Sequence, residues 1–298
     1  MDYNKIVKQS IELAWRFKSL WIFGLFVGGG YFNIPTQFSK KKYDFGNYFD
    51  SDLPFNFELP FDSELLILPV IAAVLAFILL SLIMYIISRT ALIDAVNNIF
   101  RGGVYRFGKS FSAGVDQFLG MLGLWIIEVF SFIISFIVIA IPIIIMFVIS
   151  PVLGVIGILL AIPFIFVIIF ILTTIFELAV RAYVLRKVSI SDSIAEGYEL
   201  LRMYKWNNFI IFLISILIWI VSAIITTAVI LIAVVPIGLA VYATSGIWIA
   251  FAVCIPIAFI LMILFSGFLG TLSDSVYTLF YFELLELPNK NKPAVSSS

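Results

Sequence analysis

The stretch IELAWRFKSLWIFGLFVGGG, residues 11–30, joins a charged amphipathic segment to a short apolar run. It has the features of three different elements: a cleaved signal peptide, an anchor in the membrane interface, and a membrane span. The residues that follow, GGGYFNIP, lack the small-residue cleavage pattern of a signal peptide. We expect a retained span over about residues 15–33, with its helix beginning inside the charged segment so that it is long enough to cross.

The composition of the whole chain is that of a multi-pass membrane protein. Of its 298 residues, 63% are hydrophobic and 12% are charged, whereas soluble domains carry about 25% charged residues. The formal net charge is zero, which gives no reason to expect nucleic acid as a partner. The sequence has no histidine and one cysteine, Cys254, which excludes histidine-based catalysis and an intrachain disulfide. We expect no metal and no cofactor.

Further apolar segments reach the roughly twenty residues that a membrane-spanning helix needs. The predicted spans are residues 64–88, 121–148, 151–176, 208–238 and 245–272. Proline and glycine in SPVLG, residues 150–154, predict one turn between spans, and GLAVYATSG, residues 238–246, predicts another. With residues 15–33 included, the predicted fold is all-α, a single integral membrane domain of six transmembrane helices with an external loop at residues 33–62.

The positions of the basic residues predict the orientation of the chain. If residues 15–33 cross, fifteen of the eighteen lysines and arginines lie on one side, and Lys40, Lys41 and Lys42 lie on the other. Basic residues accumulate on the cytoplasmic side of membrane proteins. We therefore expect a protein of the cell membrane with both termini in the cytoplasm.

Three stretches share one pattern, an amphipathic helix that leads to a tryptophan and then into a span. They are residues 5–26, 109–130 and 190–214. Their tryptophans, Trp21, Trp125 and Trp206, are predicted interface anchors, because indole rings favour the membrane–water boundary. In the third stretch, SIAE at residues 193–196 has the pattern of a capping box and predicts the helix start there.

The segments that end every second span also resemble one another, and we call them the exit segments. They are SRTALIDAVNNIF (residues 88–100), IFELAVRAYVLRKV (residues 175–188) and TLSDSVYTLFYFEL (residues 271–284). Each continues a span as a helix on the predicted cytoplasmic side. The sequence therefore predicts three parallel two-helix repeats with cytoplasmic amphipathic interface helices. The repeats are residues 1–104, 105–188 and 189–298.

Few residues in the predicted spans can carry chemistry. Glu128 lies inside the third span, and an intramembrane carboxylate is a candidate functional group because its burial is costly. The alternative is a carboxylate at the cytoplasmic rim that is hydrated or paired with Arg89 or Arg181. Glu177 and Arg181 are four residues apart at the end of the fourth span, which predicts a local ion pair on one helix face.

One short motif in the first predicted span indicates close packing of helices. Gly24 and Gly28 form a GxxxG pattern, and small residues at this spacing let two helices approach closely. The motif is common by chance, so we interpret it as packing inside the helix bundle and infer no dimer from it.

Three segments carry a resemblance to known proteins: IELAWRFKSLWIFGLF (residues 11–26), FRGGVYRFGKSFSAGVDQF (residues 100–118) and RAYVLRKVSISDSIAEGYELLR (residues 181–202). They resemble a widespread group of uncharacterised prokaryotic multi-pass membrane proteins. They are also similar to the membrane domain attached to some bacterial glycerophosphodiester phosphodiesterases. In that family the hydrolytic chemistry belongs to a separate soluble barrel, which we expect this chain to lack, so the resemblance implies no catalytic residue.

Two function classes remain from these patterns. The first is a non-enzymatic membrane scaffold or lipid-associated accessory protein, with membrane lipids and other membrane proteins as partners. It rests on three basic amphipathic interface helices around a bundle that is poor in buried polar groups. The second is a small-solute transporter or permease that uses Glu128 as its intramembrane carboxylate, and it predicts a water-filled cavity that reaches Glu128.

Overall fold

The computed structural model describes residues 1–28 and 63–290, and over these ranges the chain forms helices and no strand. The helices are α1 (Tyr3–Arg16), α2 (Leu20–Gly28), α3 (Ser63–Phe100), α4 (Phe107–Asp116), α5 (Phe118–Ile149), α6 (Pro151–Arg186), α7 (Ile190–Met203), α8 (Lys205–Ser245) and α9 (Ile247–Lys290). Within the described residues, α3, α5, α6, α8 and α9 are long and apolar enough to span a membrane. The prediction of an all-α, multi-pass membrane architecture is confirmed at this level.

The N-terminal segment is not one continuous helix. α1 ends at Arg16, Phe17 adopts a non-helical conformation, and α2 begins at Leu20. The indole N–H of Trp21 donates to the Ala14 carbonyl at 2.7 Å, a group that the break leaves without its helical partner. The prediction that one helix starts inside the charged segment and continues into the span is therefore wrong.

The long helices extend beyond the predicted spans. α3 continues to Phe100, α6 to Arg186 and α9 to Lys290, so the exit segments are the last turns of membrane-spanning helices. The predicted turn at residues 150–154 is confirmed at Ser150, whereas the turn predicted over residues 238–246 is limited to Gly246, because α8 stays helical to Ser245. Ser150 is extended and precedes a proline at the first position of α6, and Gly246 separates α8 from α9 with a φ of 84°.

The hydrophobic core lies at one end of the long helices. The buried core residues come from α1 and α7, from the starts of α2, α5 and α8, and from residues 86–100, 176–186 and 272–284 of α3, α6 and α9. α4 packs against them through the partly buried Phe111, and we call this whole region the base. Leu92, Leu178 and Phe280 are among its fully buried side chains. By contrast, the most apolar part of each spanning helix in the described ranges has only 0% to 17% of its residues buried.

α2 and α9 approach until their backbones touch. Gly24 and Gly28 of α2 lie against Gly267 and Gly270 of α9, and a Cβ added to Gly24 would collide with the Gly267 carbonyl oxygen. The Thr271 hydroxyl donates to a backbone carbonyl of α2 at 3.0 Å. The glycine motif of the first predicted span therefore packs inside this chain, against its last helix.

Some predictions fall outside the described residues. The external loop at residues 33–62 and the last part of the first predicted span, residues 29–33, lie there. The membrane crossing by residues 15–33, which would bring the number of spans to six, therefore stays a prediction, and so do the three repeats. Within the described residues, α4, α5 and α6 follow one another as a short helix and two long ones, and α7, α8 and α9 follow in the same order.

Candidate functional site

Five charged side chains from four helices meet at the junction between the base and the membrane-spanning parts. Arg89 comes from α3, Glu128 from α5, Glu177 and Arg181 from α6, and Asp274 from α9. We call these five residues the charge cluster. The exit segments position it, since Arg89, Glu177 and Asp274 each occupy the beginning of one exit segment.

The two arginines bridge the carboxylates in sequence. An Arg89 Nη atom lies 2.8 Å from Glu177 Oε1, and the other lies 3.8 Å from Glu128 Oε2. Arg181 pairs with Glu177 one helical turn away, and its second Nη lies 2.6 Å from Asp274 Oδ1. Glu177 therefore lies between both guanidinium groups. Its pair with Arg89 joins α6 to α3, and the pair of Arg181 with Asp274 joins α6 to α9.

The burial of this cluster makes its pairing essential. Arg181 is fully buried and Asp274 is 5% exposed, and buried charges are tolerated only when they are paired and hydrogen-bonded. Arg181 also lies over the ring of Tyr277, 5.3 Å from its centre, a favourable cation–π geometry. The cluster therefore fixes the positions of α3, α5, α6 and α9 relative to one another.

A small cavity opens beside the cluster. Its volume is about 120 Å³, and the polar groups that line it come from Tyr85, Arg89, Glu177, Ser273 and Asp274. Its lining is mainly polar, although the helices around it are largely apolar. Space of this size accommodates a few water molecules or a small ion.

A larger cavity of about 230 Å³ lies between α8 and α9 and shares Ser273 with the first. Six hydroxyl side chains line it: Ser215, Ser222, Thr226, Thr227, Ser266 and Ser273. The Ser266 hydroxyl is buried without a hydrogen-bond partner, and so is that of Thr226. Helical Ser and Thr usually donate to a backbone carbonyl of the preceding turn. These two hydroxyls make no such bond, so they can donate to a molecule bound in the cavity.

The ionisable residues singled out in the sequence come together in this cluster. Glu128 lies against Arg89, as one of the alternatives expected, and it is not among the residues that line the 120 Å³ cavity. Glu177 and Arg181 form an ion pair within α6, and both also contact side chains of other helices.

The predicted anchors lie in different surroundings. Trp21 contacts the rings of Trp15 and Phe268 and closes the break between α1 and α2. Trp125 is half-buried in α5, whereas Trp206 at the start of α8 is 78% exposed. An interface anchor should expose its ring on the outer surface, and of these three tryptophans Trp206 is the most exposed.

Asp274 is the residue of the cluster that the sequence analysis did not single out. A usable signal was present, because each exit segment carries a charged residue near its start. These residues are Arg89 at the second position, Glu177 at the third and Asp274 at the fourth. Helices that pack side by side at one end bring such aligned charges together, and charges of both signs in that register predict a buried ion network.

Comparisons with protein-family profiles, with curated proteins and with solved structures found no match. In the described ranges, no group of three or more histidine, cysteine, aspartate or glutamate side chains is arranged to hold a metal ion. The arrangement can exchange hydrogen bonds, bind a small charged or polar guest and hold four helices together. These abilities are those of a structural centre or a binding site.

Proposed function

We propose that this chain is a non-enzymatic integral membrane protein that acts as a membrane scaffold or lipid-associated accessory protein. The observation that carries the proposal is the contrast between the packed base and the spanning parts of the helices. In the most apolar part of α5 no residue is buried, and the corresponding share in α6, α8 and α9 is 11%. This surface is available to lipids and to the helices of other membrane proteins.

The short helices of the base support a role at the lipid headgroups. On α1, Ile11 and Trp15 are exposed, and the exposed Lys8 and Lys18 flank them. Aromatic side chains next to basic ones are typical of surfaces that lie at the membrane interface and attract anionic lipids.

The region around the α7–α8 junction has the same character. Tyr198 and Trp206 are exposed, and the exposed Arg202 and Lys205 lie between them in the sequence. We propose that α1, α4 and α7 are the cytoplasmic interface helices of three parallel repeats in a six-span protein of the cell membrane, with both termini in the cytoplasm. The strong bias in lysine and arginine positions supports this orientation.

The resemblance to the membrane domain of glycerophosphodiester phosphodiesterases agrees with an accessory role. It contributes no catalytic residue to this chain. Membrane lipids and other membrane proteins are the partners that we propose, and nucleic acid is not among them.

Native mass spectrometry of the chain released from lipid nanodiscs tests this function. We expect retained anionic lipid or a co-purified membrane protein. The variant Arg202→Gln with Lys205→Gln should retain less anionic lipid, because two basic groups beside Trp206 are removed. The matched control is Glu12→Gln with Glu199→Gln, which changes two exposed carboxylates of the short helices α1 and α7. This control should retain at least as much anionic lipid as the wild type. A wild-type chain that carries neither lipid nor protein contradicts the proposal.

A second candidate is a small-solute transporter or permease, and the polar cavity beside the charge cluster favours it. Glu128 was the carboxylate expected to serve it, but Glu177 and Asp274 are the carboxylates that line the cavity. Uptake into proteoliposomes separates the two functions. A transporter predicts solute uptake that is lost in Glu128→Gln or Asp274→Asn, and a scaffold predicts no uptake by the wild type.

A further inference from the structure

A third cavity, of about 260 Å³, lies at the surface of the base, and its lining includes no residue of the charge cluster. Two elements form it. The link between α4 and α5 contributes Asp116 and Gln117, and the end of α6 contributes Tyr183 and Lys187. At roughly 30 Å³ for each water-sized group, this space holds about eight or nine such groups. Its size therefore suits the headgroup of a phospholipid.

The two sides of this cavity carry opposite charges. Asp116 supplies a carboxylate on the side of α4 and α5, and Lys187 supplies an ammonium group on the side of α6. Neither side chain forms an ion pair with any other residue that the structure describes. A guest with one positive and one negative group would match both sides.

The polar groups between these charges indicate which positive group fits. Oε1 of Gln117 is buried and accepts no hydrogen bond from the described part of the chain. A buried acceptor without a donor is costly, so a guest that brings an N–H group is favoured. A primary ammonium group has three such donors, whereas a trimethylated one has none.

The position of Lys187 also indicates a use for its side chain. Lys187 follows the last residue of α6 and has a φ of 53°, in the left-handed region. Glycine is the usual residue at such a helix end, because any other side chain is strained there. A lysine kept at this cost places an ammonium group at the edge of the cavity, where it can bind a negative group.

The surroundings of the cavity favour a lipid over a soluble guest. Val115 and Leu119 flank Asp116 and Gln117 in the sequence, and they are 47% and 79% exposed. Exposed apolar side chains beside charged ones are typical of surfaces that lie in the membrane interface. Acyl chains can therefore cover these two residues while the headgroup enters the cavity.

We propose that this cavity binds the headgroup of one phosphatidylethanolamine molecule. The ammonium group of the lipid donates to the Asp116 carboxylate and to Oε1 of Gln117. Its phosphate accepts hydrogen bonds from the Lys187 ammonium group and the Tyr183 hydroxyl, and charge-assisted bonds of this kind are strong. The site deepens the proposed lipid-associated function and rests on it, since it names one lipid and the residues that select it.

Native mass spectrometry of the full chain released from nanodiscs tests the proposal. The nanodiscs contain equal amounts of phosphatidylethanolamine and phosphatidylcholine with the same acyl chains, and a fixed share of phosphatidylglycerol. The first two lipids have the same net charge and differ in their N–H donors. We expect one retained phosphatidylethanolamine per chain, preferred about tenfold over phosphatidylcholine. Asp116→Asn should abolish most of that preference, whereas Glu199→Gln, which changes an exposed carboxylate of α7, should keep it.

Lys187→Gly is a second variant, and we expect it to fold because glycine accepts the φ of 53° without strain. It should retain several-fold less phosphatidylethanolamine. A wild-type chain that does not prefer this lipid overturns the proposal, and so does a preference that neither variant reduces. Soluble phosphoethanolamine that binds as tightly as the lipid overturns the choice of a lipid guest. Phosphatidylglycerol in the same spectra reports on the proposed function separately, so a chain that keeps anionic lipid without this preference loses only this site.

Discussion

The base and the spanning parts of the long helices follow different packing rules in the same chain. In the base and at its junction with the spanning parts, glycine contacts and paired charges hold the helices together. The spanning parts are built mainly from Ile, Leu, Val and Phe and remain exposed. Inside a membrane, apolar side chains gain little by leaving lipid for another helix, so association needs close backbone approach or polar contacts. The comparison teaches that this fold is determined where small and polar residues occur.

The largest expected effect comes from breaking the charge cluster at its most buried member. Arg181→Met should lower the free energy of unfolding by about 3–5 kcal/mol, because the buried Asp274 carboxylate loses its partner and Glu177 keeps only Arg89. Unfolding in SDS, followed by tryptophan fluorescence, measures it. Arg186→Met is the control, since that side chain is 52% exposed and pairs with Glu196 at 2.8 Å. A loss of equal size in both variants would contradict a special role for the cluster.

The next effect concerns the glycine contact between α2 and α9. Gly270→Leu should cost about 1–3 kcal/mol, because a side chain there collides with the backbone of α2. The same unfolding measurement applies to Gly108→Leu, whose added side chain meets nothing within 4 Å of its Cβ. That control should be as stable as the wild type. If both variants behave alike, the backbone contact between α2 and α9 does not stabilise the fold.

A smaller effect is expected at the break between α1 and α2. Trp21→Phe removes the hydrogen bond to the Ala14 carbonyl at 2.7 Å, and the loss of one such bond costs about 0.5–1.5 kcal/mol. Trp206→Phe is the matched control, because Trp206 is 78% exposed. Thermal unfolding in detergent should separate the two. An unchanged midpoint for Trp21→Phe would show that the indole does not stabilise the break.

The smallest effect is expected in the spanning part of α6. Leu159 is 61% exposed, so Leu159→Ala should change the free energy of unfolding by no more than about 0.5 kcal/mol. Leu92→Ala in the base, where the side chain is fully buried, should cost about 2–5 kcal/mol. A large loss for Leu159→Ala in the intact membrane, but not in detergent, would identify a partner that covers this part of α6.

The parts of the fold that rest on local chemistry could be predicted from the sequence. Pro151 and Gly246 stand at the two predicted turns, because proline begins a helix well and glycine accepts a positive φ. Hydropathy alone would end the helices where the exit segments become polar, but the pattern shared by these segments predicted that each continues as a helix, as α3, α6 and α9 do. The break at Phe17 was missed because no proline or glycine marks it.

The start of α7 shows how two equivalent signals compete. The sequence offers a capping pattern at Ser193, but α7 begins at Ile190 and Ser189 caps it, accepting from the Asp192 N–H at 3.1 Å. Ser193 instead lies buried inside the helix and donates to the Ile190 carbonyl. Both serines precede an acidic residue by three positions, and the earlier one decides the start.

The candidate site was predictable in its parts and not as a whole. Glu128, Glu177 and Arg181 stand out as charges in apolar sequence, and the pairing of Glu128 with Arg89 was one stated alternative. Asp274 was missed because its importance depends on which helices are neighbours. That information is tertiary, since the Arg181–Asp274 pair joins residues 93 positions apart.

The contact between α2 and α9 has a consequence for how the protein is made. The Thr271 hydrogen bond to α2 joins residues 251 positions apart, and at about 5–20 residues per second the ribosome needs roughly 10–50 s to supply the second partner. During that interval the glycine face of α2 has no α9 to cover it. The newly made chain therefore depends on the insertion machinery or on lipid to occupy that face until synthesis is nearly finished.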